Sequence, residues 1–105
     1  QHNYPPFSRL IEIMVKHPYR QVSSRAAEEL TLRIKESVTG IRLMGPGEPV
    51  IAKIRNEFLK SILIKIPRDQ GKLAAIKTAL LGCGEAIQEN KTYRGVKVVF
   101  DVDPL

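Results

Sequence analysis

The sequence predicts an α+β domain of β-α-β-β-α-β order, two helices packed on one face of a four-stranded sheet. Three observations carry that prediction. Residues Arg9 to Lys16 and Val96 to Val102 alternate apolar and polar side chains with the period of a half-covered strand. Two longer stretches, Val22 to Val38 and Leu73 to Ile87, repeat their apolar residues every three or four positions, as one-sided helices do. Between them, a turn-rich interruption at Met44-Gly45-Pro46-Gly47-Glu48-Pro49 precedes two further strand-like runs.

The elements follow in order. Ile11, Ile13 and Val15 share one side of the first strand, and His17-Pro18-Tyr19 ends it, because proline lacks a ladder donor and restricts the residue before it. From Arg20 or Gln21 the spacing Val22, Ala26, Leu30, Ile34, Val38 predicts a helix, with Gly40 as its left-handed C-terminal cap. Ile41 to Leu43 opens a second strand that resumes at Val50 to Arg55, placing Lys53 and Arg55 together on one side. Asn56-Glu57 forms a short connection to Phe58 to Ile66, so the two runs make an antiparallel hairpin. Asp69 suits a helix N-cap before the stripe Leu73, Ile76, Leu80, Cys83, Ile87. Gly82 and Gly84 each cost about 1 kcal/mol relative to alanine, so the helix is expected to fray or stop near them. Asn90 to Gly95 reads as a loop, and the last strand ends at Pro104. Ile11, Ile13, Val98 and Phe100 are expected to share the core with both helix stripes.

A chain of 105 residues is one domain's length, able to remove about two-thirds of its unfolded surface from water. The 43% hydrophobic and 27% charged shares are those of a globular chain without repeats or linkers, so residues 1–105 read as a single domain. No apolar run approaches the roughly 18 residues of a membrane span, no signal peptide opens the chain, and a cytoplasmic location is expected. The first residue is Gln1, so the chain reads as a piece of a longer protein. One cysteine, Cys83, allows neither an internal disulfide nor a zinc site. Tyr4-Pro5-Pro6-Phe7 reads as a rigid entry segment whose rings pack on the core rather than as a polyproline ligand.

An enzyme reading lacks parts: there is no phosphate-binding glycine loop, no metal-ligand cluster and no nucleophile with a base. Asp101 and Asp103 are spaced to face the same side of a strand, but beside Pro104 they suit strand termination or docking better than acid chemistry. Positive charge is the remaining lead. Of the net +6, Arg42 to Arg68 supplies +4, with Arg42, Lys53, Arg55, Lys60, Lys65 and Arg68 against Glu48 and Glu57. Lys53, Arg55, Lys60 and Lys65 on the hairpin, with Phe58 near its turn, combine cations for phosphates with a ring able to stack on a base. The same lysines also suit a solvated edge hairpin protected against aggregation.

Tyr4-Pro5-Pro6-Phe7 followed by Arg9-Leu10-Ile11, then Gly45-Pro46, Pro49, Ile51, Lys53 and Ile54, then Phe58 and Ile62-Leu63-Ile64-Lys65, then Val99 through Pro104, together resemble the C-terminal domain family of the primosomal replication-restart helicase PriA. Many members carry Tyr-Arg where this chain has Phe58-Leu59, with Lys60 the nearest cation. The resemblance implies a fold like that of a small ribosomal-subunit protein. It implies a non-catalytic module that binds single-stranded or forked DNA and docks on the helicase core of its own chain. Single-stranded DNA-binding protein and other primosome proteins are further implied partners. ATP with Mg and zinc would belong to other parts of the full-length bacterial helicase, leaving this domain without a cofactor. Two other readings stay open: a protein-interaction module contacting helicase lobes or single-stranded DNA-binding protein, and an RNA-binding ribosomal-type domain.

Overall fold

The computed structural model describes residues 9–49, 53–66 and 70–102, with the side chains of 70–72 left aside. The expected roles of Tyr4-Pro5-Pro6-Phe7, Asp69 and Asp103 lie outside these residues. Strand β1 (Arg9–His17) leads into helix α1 (Arg20–Ser37), then β2 (Arg42–Gly47), β3 (Lys53–Ile54), β4 (Glu57–Ile66), helix α2 (Gln70–Glu89), a 3-10 turn at Lys91–Tyr93, and β5 (Lys97–Val102). The sheet is antiparallel throughout, in the order β2-β4-β1-β5. Strand β3 also pairs with β4, and since β1 occupies the other flank of β4, β2 and β3 lie in line along one edge. The architecture is α+β, as the alternation and stripes predict, but the sheet has five strands where four were expected, because the second predicted strand is divided into β2 and β3.

Register explains the layers. Ile11, Ile13 and Val15 of β1 stand opposite Ile64, Ile62 and Lys60 of β4, and opposite Val102, Phe100 and Val98 of β5. Ile11, Ile13, Ile62 and Ile64 bury completely beneath Ala26, Leu30 and Ile34 of α1 and Leu80 and Ile87 of α2, while Val98 and Phe100 pack at the margin. Both helices therefore cover one face, removing their stripes and the sheet's apolar side from water together. The hydroxyls buried with α1 keep their hydrogen bonds: Ser23 donates to the Arg20 carbonyl at 3.0 Å and Thr31 to that of Ala27 at 2.8 Å. Among the described residues no helix is long and apolar enough to cross a membrane.

Four local expectations change. Helix α1 ends at Ser37 with an extended Val38, so Gly40, although at φ 79°, lies too far along to cap it. Gly45-Pro46 sits inside β2 rather than interrupting it. The pairing with β4 shifts between Met44 and Gly47 to accommodate it, and a Cβ on Gly45 (φ 103°) would come within 2.8 Å of the Ser61 carbonyl oxygen. The hairpin turn is Arg55-Asn56, one residue earlier than expected, with Ile54 and Glu57 as the closing pair. Finally, α2 continues through Gly82 and Gly84 to Glu89. A Cβ on Gly84 would stand 3.0 Å from the Phe100 ring, so its bareness admits the ring, and packing overrides its poor helix propensity.

Candidate nucleic-acid interface

A two-residue turn with both central residues at positive φ is the tight connection that matches the twist of paired strands. Arg55 (φ 52°) and Asn56 (φ 67°) form that turn. Asparagine tolerates the left-handed region, but arginine pays for it sterically, by about 1 to 2 kcal/mol. A cation is thus held in a strained backbone position at the tip of the β3–β4 hairpin.

Behind the tip, Lys53 stands directly opposite Phe58. The Lys53 ammonium and the Arg20 guanidinium each lie 4.9 Å from the centroid of the half-buried Phe58 ring, within range of cation–π attraction. On the other flank Phe58 pairs with His17, which is buried. The His17 Nδ1 accepts from the Tyr19 backbone N–H at 2.9 Å, so Nε2 carries the proton and donates to the Arg94 carbonyl at 2.9 Å. One imidazole thereby ties the end of β1, the start of α1 and the loop before β5 to the base of the hairpin. Tyr93 in that loop donates its hydroxyl to Glu29 Oε1 at 2.7 Å, and Arg33 donates to Oε2 at 3.1 Å. These bonds, the tyrosine's foremost, hold the Glu29 carboxyl below its ordinary value, and the same bond pushes the Tyr93 hydroxyl up.

The sheet's uncovered face continues the cationic surface. There Lys16, Ile54, Arg55, Glu57, Leu59 and Lys97 line a groove of about 380 Å³ whose floor is the buried Leu59. Lys97 meets Glu57 at 3.4 Å. The five residues expected at the site therefore separate. Lys53, Phe58 and Lys60 share the helix-side face, and Arg55 lines the groove on the other side of the tip. Lys65 is odd where Lys60 is even along β4, so it projects from the uncovered face, about 17 Å away along the strand and opposite Arg42. Lys60 and Lys65, on the same arm of the hairpin, therefore project from opposite faces of the sheet. Arg20, Lys16 and Lys97 were missed: their nearness to the hairpin comes from the pairing of β1 with both β4 and β5, which no local pattern reveals. Among the described residues no three His, Cys, Asp or Glu side chains are placed to hold a metal, and Cys83 is buried and free.

The sequence profile of the family described as "Primosomal protein N C-terminal domain" matches residues 1–105, the whole chain. The chain belongs to this family. As a primosomal PriA-type C-terminal domain it is tied to DNA replication through the primosome. No curated protein matches the chain. Among solved structures, the primosomal domain is similar to a hydantoinase/carbamoylase family amidase from Burkholderia ambifaria, at 18% identity and TM-score 0.52 over 90% of this chain and 27% of that one. It is likewise similar to AtUAH in complex with (S)-hydroxyglycine, at 14% identity and TM-score 0.52, covering 92% and 27%. At such identities the likeness concerns the fold alone, and the chain spans about a quarter of the length of those proteins.

Proposed function

We propose that this chain is a non-catalytic, cytoplasmic domain that binds single-stranded or forked DNA at its hairpin end and docks on the helicase core of the same primosomal protein. The observation that carries the reading is the gathering of Lys16, Arg20, Lys53, Arg55, Lys60 and Lys97 around one hairpin, from β1, α1, β3, the turn, β4 and β5. Cations brought together from across the chain release counterions from a phosphate backbone, whatever its sequence. Phe58 stacks on a base only where a base displaces Arg20 or Lys53 from its ring, so its share is secondary to theirs. ATP with Mg and zinc belong elsewhere in the full-length protein, and single-stranded DNA-binding protein and other primosome components are partners of the assembly.

The test is a salt titration of a labelled single-stranded oligonucleotide with the folded wild type, the Lys53, Arg55 and Lys60 triple alanine variant, and Lys65→Ala. Each phosphate contact removed should flatten the log-log salt slope by roughly 0.7, while Lys65→Ala should follow the wild type. Coincident wild-type and triple-variant curves would remove the hairpin as the DNA site. A protein-docking role would then replace it, favoured by the apolar Met14, Met44, Leu63 and Val99 on the face that the helices leave bare.

A further inference from the structure

The two edges of the sheet differ. The β2–β3 edge carries Pro46 and a register shift, both of which obstruct the addition of another strand. The β5 edge is six regular residues, Lys97-Val98-Val99-Phe100-Asp101-Val102. The Val98 N–H donates to the side-chain Oε1 of Gln88 at 2.9 Å, so it points away from β1. By strand alternation the backbone groups of Phe100 and Val102 point outward as well.

The charges of β5 are mismatched within the chain. In the register with β1, Lys97 stands beside Lys16 and Asp101 beside Glu12, like charges in both rows. Lys97 finds Glu57 across the sheet, whereas Asp101 has no cationic partner among the described residues. Beside this edge, Val99, Val102 and Leu81 are 44%, 41% and 53% exposed. Val102 and Leu81 also border an apolar cleft of about 100 Å³ formed with Ile11, Lys77, Leu80 and Phe100.

We propose that β5 pairs antiparallel with β5 of a second copy of this chain, extending the sheet across a two-fold axis at Val99. In that register Val98 faces Phe100 of the other copy, and these are residues whose backbone groups point outward, so four interchain hydrogen bonds form. Val99 meets Val99, and Lys97 meets Asp101 twice. Each outer row then reads Glu12, Asp101, Lys97, Lys16 across the two copies, which gives Asp101 its cation and sets an opposite charge beside each like pair. Sliding by one residue would set outward groups against inward ones. Pairing Phe100 with itself instead would leave Asp101 opposite Val99. Charge complementarity therefore selects both the occupant and the register. Gln88, on an exposed stretch of α2, rotates aside to release the Val98 N–H.

The test is disulfide trapping together with sedimentation of the 105-residue chain. Paired valines at a two-fold in a non-hydrogen-bonded position have Cα atoms about 4.5 Å apart, within disulfide reach. Val99→Cys should therefore cross-link rapidly under mild oxidation, while the similarly exposed Val102→Cys should not. Asp101→Lys should weaken self-association by roughly tenfold or more, and the exchanged Lys97→Asp/Asp101→Lys protein should recover it, with folding checked by circular dichroism. Equal cross-linking of the two cysteine variants overturns the register. A wild type that remains monomeric at every concentration, or an Asp101→Lys protein that associates as strongly as wild type, overturns the pairing itself.

Discussion

Two glycines two residues apart on α2 should respond oppositely to the same substitution. Nothing lies within 4 Å of a Cβ built on Gly82, so Gly82→Ala removes backbone freedom from the unfolded chain and should stabilise by about 1 kcal/mol. Gly84→Ala gains the same propensity, but its Cβ would sit 3.0 Å from both Cε1 and Cζ of Phe100 and 3.3 Å from Cγ1 of Val98. Carbon atoms prefer about 3.5 to 4.0 Å, so the ring must retreat by roughly half an ångström or more. Overpacking of this kind costs about 1 to 3 kcal/mol, which cancels or exceeds the helical gain. The two variants should therefore differ by at least about 1 kcal/mol, or about 4 °C or more in Tm for a chain this short. Urea denaturation at an unchanged m-value, at concentrations low enough to exclude self-association, measures the difference. In a Phe100→Leu background the Gly84→Ala penalty should shrink. If Gly84→Ala stabilises as much as Gly82→Ala, the notch for Phe100 does not explain why a glycine survives in the middle of α2.

Two further outcomes are expected. Arg55→Asn should stabilise the hairpin by about 0.5 to 1 kcal/mol, because asparagine accepts the left-handed turn that arginine resists, while flattening the salt dependence of the proposed DNA binding; a loss of stability in chemical denaturation would refute the strain. Tyr93→Phe should cost about 1 kcal/mol, less than a fully buried charged hydrogen bond because the Glu29 side chain is 31% exposed. Glu29 is depressed in the folded state, so its contribution is present above its ordinary 4.5 and is lost as pH falls through the folded value. Tyr93 is raised, so its contribution is present below 10.0 and is lost as pH rises through the folded value. The difference between wild type and variant should thus be flat near neutrality and shrink at both extremes in pH-dependent urea melts.

Much of the fold was legible because each helix and each long strand carries its own period. Ile11, Ile13 and Val15 declare a covered face through alternation, and Leu30 and Ile34 declare theirs through fourfold spacing. What escaped was set by contacts between distant segments. Gly84 reads as a helix breaker until Phe100 is known to lie against it. Arg55 reads as a strand residue until the closing pair Ile54 and Glu57 places it in the turn. For the candidate site, Lys53, Arg55, Phe58 and Lys60 could be grouped from the sequence because they are neighbours along the chain. Arg20, Lys16 and Lys97 escaped because only the order β4-β1-β5 brings them close. The separation of Lys60 from Lys65 was visible as odd against even numbering, and it gained force once the helices were seen to cover one face.

The pairing of Ile11 with Val102 brings the start of β1 beside the end of β5. The described chain enters through β1 and leaves through β5, adjacent antiparallel strands, so both ends open at the same pole. His17, Phe58 and Lys97 mark the other pole, about 17 Å further along the strands. The first and last described residues, Arg9 and Val102, therefore lie on the side away from the cationic tip. Whatever meets the hairpin tip thus approaches from the pole opposite the one at which the described strands begin and end.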